Sequence, residues 1–477
     1  MESFFRPSLL QESMEKNYIS RTKDGEYVRP MWTPFVFLAE LSFCLCCLVA
    51  SPPSEGDRVA LQECIDALPA GGTLTLGARA YHFQDLRITR SLTIQGAGRG
   101  RTLCDRGGAL PFFRLTGKAA EVTIKDLALD GQGLAAAGIE AMGIKTLRLE
   151  GLRVARCGQP PTGALPSDRF GKPVDGVYAR DVLQAEVRGC ALVGNGRDGF
   201  IGIPVRRLFF TNNECTGNGR MGCTSDVDPG GKLGGPLQVV YQDNEVANCG
   251  TGGLHVESEK GLPAVDALFE RNRVINCGDR DWGYSWGLVM GYNSKGVLRG
   301  NTVTGLGLRS TLKAYRNGIL VSRPGGPVLI EGNTVEDTGR AGISVNESTF
   351  PVKLKGNLVR GGRTTGIAVY MVPDLLVENC TVEGCQEAGF WGRLCAGALI
   401  QGNHFRDNSR QAQGKFPAMH GEACPNIRIL NNDLGGPPQS MGVELVFTGP
   451  TAMARLEGNT FAGARRHVRL SSFKTEN

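Results

Sequence analysis

Histidine is scarce in this chain of 477 residues: His82, His255, His404, His420 and His467 are all there are, far apart in sequence. That spacing holds no contiguous histidine metal motif. Basic residues are scattered rather than clustered, which excludes a recognisable nucleic-acid module. The net charge of +6 is small for the length, so an acidic polymer is permitted as a partner but not demanded. Long hydrophobic runs are missing after residue 55. The one apolar run, PFVFLAELSFCLCCLVA at residues 34–50, is interrupted by Glu40 and Ser42 and ends at once in SPPSEGD. It is shorter than the ~20 residues of a membrane span. With Arg29 before it and Val49-Ala50-Ser51 after it, the run reads as a signal sequence, with Met31 an alternative start. The expectation is an extracellular or periplasmic protein with no membrane span once the leader is removed; a retained signal anchor is the alternative.

What is abundant is glycine, 67 residues, about twice the usual fraction. The apolar share is ordinary, which excludes a disordered or collagen-like chain and fits many short strands with frequent turns. A phrase of the form apolar-x-Gly-Asn-x-Val-x-x-x-Gly recurs, as in LRGNTVTGLG from Leu298 and IEGNTVEDTG from Ile330. Its fourth position marks a register: Leu127, Leu152, Cys190, Asn213, Asn244, Asn272, Asn301, Asn333, Asn357, Cys380, Asn403, Asn432 and Asn459. The intervals never fall below 23 residues, which suits one coil of three short strands joined by turns. Such a density of Gly, Val and Asn excludes a helical repeat.

The expected fold is therefore all-β: a single-stranded right-handed parallel β-helix of about fourteen coils. Asn tolerates a left-handed backbone and hydrogen-bonds locally, so the Asn column is expected to line one turn as a ladder. Of fifteen cysteines, three lie in the leader; Cys157, Cys249, Cys277 and Cys385 each fall five residues past the register and read as a buried, reduced column. Residues 57–69, DRVALQECIDALP, space Val59, Leu61, Ile65 and Leu68 as a helix with Asp57 at its N-cap. This helix would cover the open edge of the first coil. The domain reading is a leader at 1–51, a cap and entry at 52–90, and the β-helix at 91–477.

The opening, PAGGTLTLGARAYHF followed by ITRSLTIQGAG, resembles that of the pectate-lyase-like β-helix proteins, a superfamily of lyases, hydrolases, epimerases and tail fibres. With the repeats, the resemblance covers nearly all the chain after residue 55 and is specific for fold. The motifs of its enzymatic branches are not found: no Gly-His-Gly, no Arg-x-x-Pro-x-x-Arg. GGLHVESEKG supplies Glu257, Glu259 and Lys260 of an alginate-lyase-like strand, but Met290 and Gly291 stand where Arg-His would follow. NGRDGF from Asn195 and NGRMG from Asn218 are similar to coils of mannuronan C5-epimerases, without the Asp-Pro-His signature.

Coil length gives the remaining clue. Extra residues fall after Gln159, Arg220, Asp279, Leu308 and Ser409, and insertions at one turn project from one side. Stacking the strands GVYAR, GFIGI, PLQVV, GLHVE, GLVMG and their successors, with alternate residues outward, yields two patches. In the middle patch His255, Glu257, Asp226, Asp228, Asp279 and Asp281 are candidate catalytic groups: carboxylates for an inverting hydrolase, or His255 as base for a uronate lyase or epimerase. Gly291 beside Glu257 would leave room for a ligand. Arg280, Trp282, Lys313 and Arg316 would hold or neutralise the substrate. Further along, Tyr370, Trp391, Arg393, His420 and Glu422 form an aromatic and charged strip suited to sugar rings, although Arg393 and Glu422 also fit a plain cross-strand ion pair. Clustered carboxylates suit Ca²⁺, but no loop is diagnostic for it. The reading is a monomeric, carbohydrate-active protein that cleaves or modifies a polysaccharide, anionic or neutral, and takes no nucleic acid. The alternative is a non-catalytic rod that binds or displays on glycans.

Overall fold

The structure is a computed structural model that describes residues 56–472, apart from 106–108, 159–173, 228–236, 260, 281–283, 310–314, 412–414, 436–440, 448–452 and 465. The leader, Asp228, Asp281, Trp282 and Lys313 lie outside the described residues. Each coil contributes three strands, shown by Gly252–Ser258, Val265–Glu270 and Arg273–Ile275. The next coil repeats them as Tyr284–Met290, Ser294–Arg299 and Thr302–Leu306. Every pairing is parallel and joins a strand to its counterpart one coil on, for example His255 to Val289 and Phe269 to Leu298. The third strands form a separate thirteen-stranded sheet. The first two series run together where Val177–Arg188 and Phe200–Thr211 bend from one face to the next without a break.

Side chains alternate in and out along each strand, and the inward set stacks into a continuous core of Leu, Ile, Val and Phe. At the corner between second and third strands the ladder is present. Asn244 donates from its side chain to Asn272 Oδ1 at 2.9 Å and to the Phe210 carbonyl at 2.8 Å. Asn272, Asn301 and Asn333 repeat the pattern on the following coils. The left-handed conformation, however, belongs to the residue before each ladder asparagine: Asn212, Asp243, Arg271, Gly300 and Gly332 have φ between +52 and +61°. The ladder asparagine is thus chosen for its carboxamide, which satisfies buried backbone groups above and below it, and not for backbone tolerance.

The next corner uses the same device with Asn195 and Asn218, then with cysteines: Cys249 N–H donates to Cys277 Sγ. Among the described residues twelve cysteines are free and eleven are buried. Burial pushes the Cys190 and Cys385 thiols up to about 12, so they are inert small hydrophobes.

The helix Gly56–Ala67 packs Leu61 and Ile65 on the first coil, while Val59 is 54 % exposed. Asp57 lies inside the helix rather than at its N-cap. Its carboxylate turns to the coil, accepting from Arg79 and from the His82 N–H at 3.0 Å each.

The ladder generates a stability expectation. Asn301→Ala leaves the Phe269 carbonyl and the Asn272 donors without their partner, so it should cost about 1–3 kcal/mol. Denaturant unfolding of the variant against the parent checks this; an unchanged midpoint would remove the ladder's structural role.

Candidate active site

Residues on the first-strand sheet that face outward form columns along the rod. One column runs Tyr178, Ile201, Thr224, His255, Val289, Leu320, Ser344, Ala368, Trp391 and His420. The strand stacked before Gly252–Ser258 is Met221–Val227, which pairs Asp226 with Glu257. This corrects the alignment of PLQVV with that column: Leu237–Gln242 pairs with Val265–Glu270 in the second series. Asp226 therefore sits on a strand and not in a loop. Residues 228–236 fall between a first and a second strand and residues 281–283 between a third and a first, so the extra residues do not share one turn in the strand order.

The corrected register places Asp226, His255 and Glu257 together. His255 Nδ1 is 3.5 Å from Asp226 Oδ1, and His255 Nε2 is 3.2 Å from Glu257 Oε2. Burial opposes a charged imidazole here, but Glu257 and Asp226 outweigh it and raise the pKa of His255. Gly291, the next residue outward, leaves room that Glu257 itself fills: a Cβ at Gly291 would come within 2.8 Å of Glu257 Cβ.

One ligand atom from each of the three residues lies within 4.8 Å of the others, so the set has the compactness of a divalent-cation site. Its imidazole suits zinc better than calcium, while its two carboxylates also admit manganese. The two carboxylates also stand beside different ring nitrogens. That arrangement suits a proton bridge, with the Asp226 charge beside Nδ1 and Glu257 exchanging a hydrogen bond with Nε2.

Beneath the triad runs a buried charge ladder missed in the sequence. Asp175 pairs with Arg197 at 2.7 Å, and Asp198 pairs with Arg220 through a second contact at 2.7 Å from Nε. Each aspartate also accepts the backbone N–H of the following coil, from Asp198 and Met221. Arg220 donates to Thr224 and feels Asp226, and it lowers His255's proton affinity. Its signal was the repeated NGRDG and NGRMG phrase. Breaking one partner of such a pair typically costs ~3–5 kcal/mol, which ties the site's floor to the fold.

A groove of about 840 Å³ begins at His255 and Glu257 and runs to Trp391. Val289, Leu320, Ser344 and Ala368 floor it; none carries a charge. One rim stacks Tyr292, Arg323 and Glu347, with Arg323 paired to Glu347 at 2.6 Å and set over the Tyr292 ring. The other rim carries Trp286, Asn317, Arg340 and Glu387, and burial raises the pKa of Glu387. Trp286 stacks on Tyr284 at 4.6 Å, and its Nε1 is buried with no hydrogen-bond partner among the described residues.

The groove joins the two patches read from the sequence. Tyr370 and Trp391 line it with His255 and Glu257, whereas Arg393, His420 and Glu422 lie beyond it. Arg393 pairs with Glu422 at 3.1 Å, and His420 with Glu444 at 3.1 Å. Asp279 accepts the Arg309 N–H at the corner, and Arg280 lies over Gly219 and Gly250. Arg316 is buried against Gly307 and Gly339. None of these three lines the groove, whose cations are Arg323 and Arg340.

A family model described as a right-handed beta helix region matches residues 169–308 and 308–461, more than half the chain. The chain belongs to the right-handed β-helix family. No curated protein matches it in sequence. Solved structures similar to it include the A-module of the Azotobacter vinelandii mannuronan C-5 epimerase AlgE4, at 16 % identity and a TM-score of 0.34, over 89 % of this chain and 96 % of that one. The catalytic unit of a GH87 α-1,3-glucanase from Streptomyces thermodiastaticus is 15 % identical with a TM-score of 0.47, over 69 % and 67 %. A PL6 alginate lyase in complex with a trisaccharide is 13 % identical with a TM-score of 0.42, over 88 % and 84 %. At such identities these likenesses concern the fold of this family member.

The raised pKa of His255 carries a sign. Its charged form is favoured in the folded protein, so its contribution to stability is full below the ordinary value of 6.5 and is lost as pH rises through the higher folded pKa. The stability of the parent over His255→Gln should therefore shrink across that window. A stability difference that grows with pH in the same window would contradict the triad's electrostatics.

Proposed function

We propose that this protein is an exported enzyme that performs proton-transfer chemistry on a polysaccharide laid along the groove. The carrying observation is that an imidazole held between two carboxylates opens onto a long groove with aromatic side chains on its surface. Tyr370 and Trp391 offer flat faces for sugar rings, and Trp286 Nε1 is a buried donor that a ligand oxygen can satisfy. An uncharged floor lets a neutral ring pass, while Arg323 and Arg340 on the rims can meet carboxylates of an acidic glycan.

The carboxylate geometry selects among reactions. An inverting hydrolase separates its two carboxyls by ~6.5–9.5 Å with a water between them, and a retaining one sets them ~5–5.5 Å apart with both facing the sugar. Asp226 and Glu257 instead bring oxygens within 4.8 Å with a histidine between them, and only Glu257 of the two lines the groove. Elimination or epimerisation at a uronic acid needs a base for the proton at C5, with the electron pair drawn toward the substrate carboxylate. His255 takes that proton in its neutral form, which predominates only above its raised pKa, so turnover should rise as pH passes through that value. The Asp226 charge beside the ring stabilises the imidazolium that results, and Glu257 is one hydrogen bond away to relay the proton. In elimination the C4–O bond then breaks, its pair leaving with the oxygen, as the C4–C5 double bond forms, and the proton relayed through Glu257 joins the departing oxygen; epimerisation instead needs a second proton donor on the opposite face of C5.

Among the described residues no helix is long and apolar enough to cross a membrane. Export rests on the leader, and N-terminal sequencing of the mature protein should begin near Pro52; recovery of the intact residues 1–50 in the cytosol would overturn it.

Activity is tested on uronate and neutral glycans, following ultraviolet absorbance of an unsaturated sugar and NMR of epimerised residues. His255→Ala and Glu257→Gln should each remove most turnover, on the order of 10²–10⁴-fold for a lost acid–base group, with the fold retained, His255→Ala also giving up the pH-dependent stability described above. Trp391→Ala should raise KM and spare kcat. Chelation should leave turnover intact, because the proton bridge needs no ion. Loss of activity on chelation, restored by zinc or manganese, would reassign the triad as a metal site. Glu257→Gln with full turnover on a glycan the parent degrades would move the chemistry elsewhere.

A further inference from the structure

The groove is open in one direction only. All its lining residues come from the coil of His255 or from later coils, as far as Trp391. On the three preceding coils the same outward columns are buried. Tyr178 is 5 % exposed, Ile201 and Ile203 are 0 %, and these three form an apolar cluster separate from the core. Strand alternation puts them on the outer face of the sheet, where residues on later coils such as Asn346, Tyr370 and Trp391 remain accessible. Thr224 and Asp226, on the coil next to His255, are buried as well. The outer face is therefore covered up to the triad and uncovered beyond it.

We infer that the His255 end of the groove is blind, and that the protein acts on the terminus of a linear polysaccharide rather than within the chain. This rests on the reading that the groove holds a glycan. An internal site requires a chain to leave on both sides of the reacting sugar. Here the sugar that reaches His255 and Glu257 has the buried Thr224 and Asp226 on its far side and the buried Ile201, Ile203 and Tyr178 beyond them, and hydroxyl-bearing rings threaded there would have to displace that packing. In the other direction the floor extends over five coil spacings, ~24 Å, from His255 to Trp391. A chain end would thus be anchored along its length by the groove and presented at the triad by its last residue. The buried wall keeps water from that side of the reacting pair, which strengthens its electrostatics.

Linear uronate and neutral glucan oligosaccharides long enough to fill the groove provide the probes. Each is prepared free, capped with a bulky group at the reducing end, at the non-reducing end, or at both, and titrated into the full-length protein by calorimetry. The inference expects one cap to weaken binding at least about tenfold, ~1.4 kcal/mol, the other cap to be neutral, and the doubly capped chain to bind as weakly as the worse single cap. Product sizes from a long polymer should then be short and uniform from the first turnovers, with viscosity falling late. Doubly capped chains that bind as well as free ones, or an early spread of long products, would overturn the blind end while leaving the glycan reading in place. If no free oligosaccharide of either series binds, the glycan reading itself fails, and the inference with it.

Discussion

Parallel hydrogen bonding between one coil and the next fixes where every other group in this protein can be. Because strands stack ~4.8 Å apart with no shift of register, a side chain's neighbours are set by two periods, two residues along the strand and one coil along the rod. Asp226 and Glu257 are register partners on adjacent coils, and His255 is two residues from Glu257 on the same face. The triad needs no loop to assemble it. It follows from placing three polar residues at positions the stacking makes adjacent, on strands that are rigid by construction.

The same constraint makes polar groups at the corners a recurring problem, solved in a recurring way. A turn buried between coils has donors and acceptors that water cannot reach, so each coil supplies a carboxamide to bridge to the next. Where the corner approaches the site, the bridging groups become charged. Asp175, Arg197, Asp198 and Arg220 replace neutral partners with ion pairs, each aspartate also taking a backbone donor. Buried ion pairs rarely add net stability over apolar packing, so their retention here is better explained by position than by strength. They end at Arg220, whose charge acts on Asp226 and His255. The buried ladder is thus a fixed electrostatic support for the His255 ring.

How much of this was legible in the sequence follows from the same periods. The coil repeat and the Asn corner could be read because their intervals recur along one chain, and the outward positions of His255, Glu257, Tyr370 and Trp391 could be read from strand alternation. What failed was the order of strands within one coil. PLQVV has the alternation of a first strand, and nothing local distinguishes it from Met221–Val227, whose GCTSDV looks like turn chemistry. Asp226 was consequently placed in a loop. Arg220 was passed over because NGRMG reads as a turn, and only three-dimensional stacking shows that its guanidinium is buried against Asp198. Arg323 and Arg340 escaped for a related reason: they stand at strand ends, where alternation no longer says which way a side chain points.

The coverage of the outer face is the one feature to which the periodic reading is blind by nature. Ile201 and Ile203 occupy outward positions, and alternation alone would call them solvent-facing hydrophobics on a sticky surface. Their burial means that this face of the rod has an inside of its own, separate from the core. A solenoid repeats, and a uniform face has no place where a reaction should occur in preference to any other coil. The transition from covered to open face breaks that equivalence at a single coil, and the triad stands on it. Position along the rod, which the repeat leaves undetermined, is set by where the apolar cover stops.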